Sequence, residues 1–392
     1  MDTTVNHILK GFVFAGALGA FGCQGLQAAP PLALGQLNVN GLASDGDNVF
    51  WTMASGDVRS VSTLGGGVAQ VSNTPTGAQG IALDEDAVYW VTGTGAISRA
   101  PKVGGAPVAL VENLPPAGAG QAVFQIDEAS MYWLGTAQDD STCKSGCSAD
   151  LVCQASACVP LHQVFKAAKA PAAPMAALLN NTSLQPIALT LAGGNLYYAT
   201  ADSPGQVAGI EDLSISGGTP VTTVTGTFQL VTSATATLCS AGLDPAALAL
   251  DPTATAWAVT CSALDGSNAH VVASGLANVV SSLTTDDDNV YFATVDGAVS
   301  YVPVNGNAPV DMTGITPPED TTGCVAGAAC SCSDTSSIGM FMCDSSGVGT
   351  CQCSGGTTFA KGPPGGASLA IDQTSVYWAH SAADAIFAMP RL

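Results

Sequence analysis

The chain has 392 residues and a formal net charge of −21, with 30 acidic residues against 9 Lys and Arg. So acidic a surface repels phosphate backbones and anionic lipid heads, which argues against nucleic-acid binding and leaves membrane association to a lipid anchor. Charged residues are only 10% of the chain and glycines number 45. Charge pairs at helical spacing therefore cannot recur, and the texture of Val, Thr and Ala runs broken by Gly, Asn, Asp and Pro predicts short strands and tight turns.

The N-terminus carries one lysine, Lys10, ahead of an apolar run from Gly11 to Gly22 that ends at Cys23. Its form is that of a secretory signal rather than a membrane span. A small residue followed by cysteine resembles the bacterial lipobox, although Ala20 and Phe21 depart from the preferred residues. Cys23 is therefore the candidate lipidation site, and cleavage near Ala28-Ala29 is the alternative. The reading divides the chain into a leader, 1–23, and one domain, 24–392. A strand-like segment follows at Leu32–Leu37.

From there one unit repeats. An apolar strand ends in an Asp turn and is followed by a strand with an aromatic pair. The copies are Leu42–Asp45 with Phe50-Trp51, Ile81–Asp84 with Tyr89-Trp90, and Ile126-Asp127 with Tyr132-Trp133. Then come a degenerate copy at Ile187–Leu189 with Tyr197-Tyr198, Leu248–Asp251 with Trp257, Leu283–Asp286 with Tyr291-Phe292, and Leu369–Asp372 with Tyr377-Trp378. Each continues into a third strand, a glycine-bearing turn such as Gly104-Gly105, and a fourth strand such as Pro107–Leu110. Seven four-stranded units predict an all-β, seven-bladed β-propeller. The last unit stops after its third strand, so Leu32–Leu37 is expected to pair with Ala385–Met389 and close the ring.

Twelve cysteines remain once Cys23 is set aside. Cys143, Cys147, Cys153 and Cys158 fall in an insert at about 139–160. Cys324, Cys330, Cys332, Cys343, Cys351 and Cys353 fall in another at about 318–358. Cys239 and Cys261 form a separate pair. Even groups behind an export signal predict disulfides, with connectivity inside the two clusters left open. No CxxC pair occurs and no histidine lies inside either cluster, which argues against structural zinc. Cys239 and Cys261 are expected to bridge the outer ends of a hairpin at Leu248–Asp251 and Thr255–Val259. The first insert reads as a connection from second to third strand. The second reads as a connection from a fourth strand near Pro309–Met312 to Leu369–Ile371. On that reading all three cysteine groups project from one face.

The Val-Tyr-Trp strands after an Asp turn resemble the YWTD and NHL class of propellers over most of residues 31–392. The full tetrad is absent, because Val91-Thr92 follows Tyr89-Trp90, so the receptor functions of that class do not carry over. The segment Cys324–Cys353 resembles cysteine-rich inserts in predicted lipoproteins of Gram-negative bacteria, which implies export.

No catalytic motif stands out, and no cofactor or metal is expected. His162, His270 and His380 are the histidines after the leader, and Lys102, Lys166, Lys169 and Lys361 look scattered. The turn carboxylates, Asp45, Asp47, Asp84, Asp86 and Asp286–Asp288, read as turn chemistry rather than calcium ligands. The expected function is an exported, envelope-associated binding or scaffolding module, with an unknown protein or glycan docking on the cysteine-insert face. A propeller enzyme of lyase or glycosidase type, or a purely structural surface protein, is the alternative. An enzyme would gather His, Arg and carboxylates around the central channel.

Overall fold

The structure is a computed structural model that describes residues 31–112, 124–136, 151–154, 157–160, 162–178, 185–201, 208–305, 329–331, 338–343, 349–352, 357–361, 367–380 and 384–391. The leader with Cys23, and Cys143, Cys147, Cys324, Cys332 and Cys353, lie outside them. Of Cys153, Cys158, Cys330, Cys343 and Cys351 only the backbone is described. The chain divides into two compact units. One comprises Leu26–Met312 with Ser354–Leu392, and the other Met1–Gly25 with Thr313–Cys353. In the second, the described residues form a three-stranded antiparallel sheet of Ala329–Ser331, Ile338–Cys343 and Gly349–Gln352.

The first unit holds seven four-stranded antiparallel sheets. Naming strands a to d from the centre outward, blade 1 is Val39–Ser44, Asn48–Met53, Asp57–Ser62 and Ala69–Asn73. Blade 2 is Ala78–Leu83, Ala87–Thr92, Ile97–Pro101 and Val108–Val111. Blade 3 is Phe124–Ile126, Ser130–Thr136, His162–Ala168 and Ala176–Ala177. Blade 4 is Pro186–Ala192, Asn195–Thr200, Gly209–Ser214 and Val221–Thr225. Blade 5 is Phe228–Ser233, Thr237–Leu243, Trp257–Ala263 and His270–Leu276. Blade 6 is Val280–Thr285, Asn289–Thr294, Ala298–Pro303 and Thr357–Lys361, and blade 7 is Ala367–Ile371, Ser375–His380 and Ala385–Pro390 with Pro31–Leu34.

The aromatic pair on strand b explains how blades hold each other. Successive strand residues point to opposite faces, so the first member of the pair meets the next blade and the second meets the previous one. Tyr89 of blade 2 shares a buried cluster with Trp133 of blade 3, Phe50 of blade 1 with Trp90, and Tyr132 with Tyr198. Tyr291 packs with Trp378, and Tyr377 of blade 7 packs with Trp51 of blade 1, which joins the last blade to the first. The seven apolar clusters correspond to the seven interfaces between neighbouring blades. Each fully buried ring contributes roughly 2–3 kcal/mol of transfer free energy. This is why a strand such as Ala87–Thr92 is buried at every position instead of alternating.

The N-terminal strand closes blade 7, with Pro31 opposite Phe387, Ala33 opposite Ile386 and Leu34 opposite Ala385. Strand pairing ends at Leu34 rather than Leu37, because Gly35 turns the chain at φ 73°, and the Gln36 N–H then donates to the Asp384 carbonyl at 2.8 Å.

Two sequence expectations are corrected. Leu248–Asp251 is not a strand: Pro245–Leu250 is a short helix capped by Asp244, and Trp257 opens strand c of blade 5. The true strands a and b of that blade, Phe228–Ser233 and Thr237–Leu243, hold Cys239 and Ser240 where other blades have the aromatic pair, so the repeat is invisible there. Strand d of blade 6 is Thr357–Lys361, paired with Ala298–Tyr301. Pro309–Met312 lies outside the described residues. The second insert therefore follows strand c and precedes strand d of a single blade.

Candidate functional site: the central channel

Strand a of every blade lines the middle of the ring. There it encloses a cavity of about 540 Å³. Equivalent positions follow from register. Leu42, Ile81, Phe124, Leu189, Val231, Leu283 and Leu369 lie opposite the second residue of the strand b pair, and all seven are apolar. The next position, opposite the first member of the pair, divides the ring. Blades 3 to 6 carry Gln125, Thr190, Thr232 and Thr284, whereas blades 7, 1 and 2 carry Ala370, Ala43 and Ala82. Strand a of blades 1, 2, 4, 5 and 6 has a bulge near its start. A bulge re-aims side chains, and it lets Asn40 and Ser281 join the lining.

Adjacent a strands are joined by side chains. Asn40 Nδ2 donates to the Ala78 carbonyl at 2.8 Å, Gln125 Nε2 to the Leu189 carbonyl at 3.3 Å, and the Leu369 N–H donates to Ser282 Oγ at 3.1 Å. Thr190 and Ser233 share a hydroxyl contact at 2.8 Å. The side-chain hydroxyls of Thr232 and Thr284 have no hydrogen-bond partner among the described residues. Among the described residues the lining contains no ionisable side chain. The sequence did not reveal this site, since Ser and Thr in strand a read as ordinary strand residues.

Around the ring the a–b connections carry one recurring turn. Asp45 Oδ1 accepts from the N–H groups of Asp47 and Asn48, and Asp84, Asp127, Asp286 and Asp372 repeat the arrangement two and three residues on. The second carboxylate oxygen takes the hydroxyl of the following tyrosine in three blades: Tyr89 to Asp84 at 2.6 Å, Tyr132 to Asp127 at 2.5 Å and Tyr377 to Asp372 at 2.7 Å. Two of the lysines that look scattered in sequence, together with one arginine, fall into order here. The residue just after strand c reaches back to the Asp turn of the preceding blade. Lys102 bonds Asp45 at 2.9 Å, Lys169 bonds Asp84 at 2.7 Å, and Arg391 bonds Asp286. Burial alone would raise Asp84, but Lys169, the Tyr89 hydroxyl and two backbone N–H groups outweigh it and bring it down to about 2. The same balance lowers Asp45, Asp127 and Asp372, while burial and Asp84 push Tyr89 up to about 12.

Cys239 and Cys261 are bonded, with Cα atoms 4.1 Å apart. They are not in loops: they face each other across strands b and c and are 0% and 1% exposed. They consequently add nothing to any exposed face. The first insert is a b–c connection, containing the hairpin Leu151–Gln154 and Ala157–Pro160, in which Cys153 lies opposite Cys158. The second leaves and rejoins the ring at a c–d connection. Strands alternate in direction, so a b–c and a c–d connection start at opposite ends of a blade, and the second insert is not the d–a connection expected from the sequence. His162 opens strand c of blade 3, His270 opens strand d of blade 5 and His380 ends strand b of blade 7. His270 does not line the cavity, and of His162 and His380 only the backbone is described. Among the described residues no group of three His, Cys, Asp or Glu is placed to hold a metal ion.

No protein-family model and no curated protein matches the chain. Among solved structures, a chain of hydrazine synthase from Kuenenia stuttgartiensis is similar over 97% of this chain and 99% of its own, at 10% identity and a TM-score of 0.56. BamB from Moraxella catarrhalis matches at 11% identity and a TM-score of 0.46, covering 90% of this chain and 84% of its own. A chain of a nidogen/laminin complex matches at 15% and 0.44, covering 66% and 89%. At these identities the likeness concerns the fold alone.

Proposed function

We propose that this chain is an exported, envelope-associated propeller that binds or scaffolds and does not catalyse. The observation that carries the reading is the chemistry of the channel wall, which among the described residues is amides, hydroxyls and aliphatic groups with no ionisable group beside them to activate a hydroxyl. Lys102 and Lys169, two of the nine cations, are engaged by turn carboxylates of the preceding blade. Export rests on the leader and on the cysteines, including one bonded pair.

The test has two parts. Purified residues 24–392 are assayed against ester, lactone, glycoside and uronate substrates, and no turnover above buffer is expected. Sustained turnover abolished by substitution of a channel residue contradicts the reading. Mass spectrometry of the native N-terminus is expected to find a lipid-modified Cys23. An unprocessed Met1 contradicts the export half of the proposal.

A further inference from the structure

We infer that the central channel is a binding site for an uncharged, hydroxyl-rich ligand, a neutral saccharide. The inference rests on the binding reading above and gives it a site and a ligand class. A cavity of about 540 Å³ falls in the range of small-ligand pockets. Its wall excludes two ligand classes. A charged group would lose its hydration and find no counter-charge among lining residues that are all neutral. A wholly apolar ligand would bury the Thr232 and Thr284 hydroxyls with nothing to bond them.

One register position of the wall is also divided. Gln125, Thr190, Thr232 and Thr284 occupy equivalent positions on four consecutive blades, and Ala370, Ala43 and Ala82 occupy them on the other three. At this position blades 3 to 6 offer hydrogen bonds and Ala43 and Ala370 offer methyl groups, while Asn40, Ser44 and Ser368 add polar groups beside them. A pyranose has the matching duality, with hydroxyls on its edge and C–H groups on its faces. Thr232 and Thr284 line the cavity from neighbouring blades, so both hydroxyls are open to one ligand. The net charge of −21 adds a long-range preference against anionic sugars.

The test is calorimetric titration of residues 24–392 with a set of neutral oligosaccharides and a galacturonate oligomer. Saturable binding of a neutral saccharide is expected, with none of the uronate. The isosteric double variant Thr232→Val/Thr284→Val is expected to weaken it about tenfold. Thr222→Val on the outer strand of blade 4 should leave it unchanged, both variants keeping the parent melting temperature. Hydrogen exchange of the unaltered protein gives a readout that needs no variant: saccharide should slow the amides of Phe228–Ser233 and Val280–Thr285. Absence of binding to every neutral saccharide, preference for the uronate, or full affinity in the double variant overturns the inference. A protein partner held equally by parent and double variant removes the channel site but leaves the binding reading standing. Hydrolysis of the saccharide removes the binding reading itself.

Discussion

A single residue, the turn aspartate, performs the same task in five blades. One oxygen closes the a–b turn through two backbone N–H groups, and the other takes a tyrosine hydroxyl or a cation from the next blade. Replacing Asp127 by Ala removes three hydrogen bonds to a carboxylate at a half-exposed site and should cost about 1–2 kcal/mol in a urea melt. Asp47→Ala, whose carboxylate closes no turn, should leave the melt unchanged. The tyrosines give a pH signature. Burial and the neighbouring carboxylates raise Tyr89 and Tyr377 from 10.0 to about 12 and push Tyr132 upward as well. The folded chain thus holds these protons harder than the unfolded chain. Their stabilisation is complete below pH 10 and is lost as pH climbs toward 12. Equilibrium unfolding across that interval should show a falling limb, shallower in Tyr89→Phe/Tyr377→Phe. Such turns are legible in sequence because their chemistry is local. The partner of Asp84 is not legible, since Lys169 lies 85 positions away.

At the scale of the element, blade 5 shows what the repeat can lose. Where Tyr89 and Trp90 stand in blade 2, Cys239 and Ser240 stand here, and the cystine to Cys261 occupies space that an aromatic ring fills elsewhere. Leu248–Asp251 imitates the missing copy, an apolar run ending in Asp that belongs to the end of the helix behind the Asp244 cap. The cysteine pairing was legible from their isolation in the chain, but their burial in mid-blade was not. The bond joins residues 22 apart, and closing such a loop restricts the unfolded chain by about 3 kcal/mol. The double variant Cys239→Ala/Cys261→Ala should lose about that much in urea unfolding. Equal stability of parent and variant would show that the bond does not hold blade 5. Trp90→Ala, which empties the interface between blades 1 and 2, should cost about 3–5 kcal/mol. Leu64→Ala, at a site 96% exposed, should cost nothing measurable.

For the whole molecule, the ring was legible because the repeat recurs in six blades and a missing last strand implies closure, even though the copy read for blade 5 falls on a helix and strand c. The second insert was misplaced because Gly306-Asn307 and Pro309-Val310 imitate the turn and fourth strand of other units. The strand that really pairs with Ala298–Tyr301 begins at Thr357, more than fifty residues after strand c ends. Sequence proximity cannot settle a pairing across such a gap. The channel was illegible for a different reason: its neutrality is a property of seven strands together, and no single strand announces it. Closure is what makes those seven strands a ring. Ala33 and Ile386, 5% and 0% exposed, sit in the cluster that also holds Trp51 and Tyr377. The closing strand therefore completes both the last blade and its interface with the first.

Hydrogen exchange of the full chain against a chain lacking residues 24–38 tests this most directly. The account predicts slow exchange of the Ala385–Met389 and Val39–Ser44 amides in the full chain, and loss of protection in both segments on truncation. Unchanged protection in the truncated chain would contradict it.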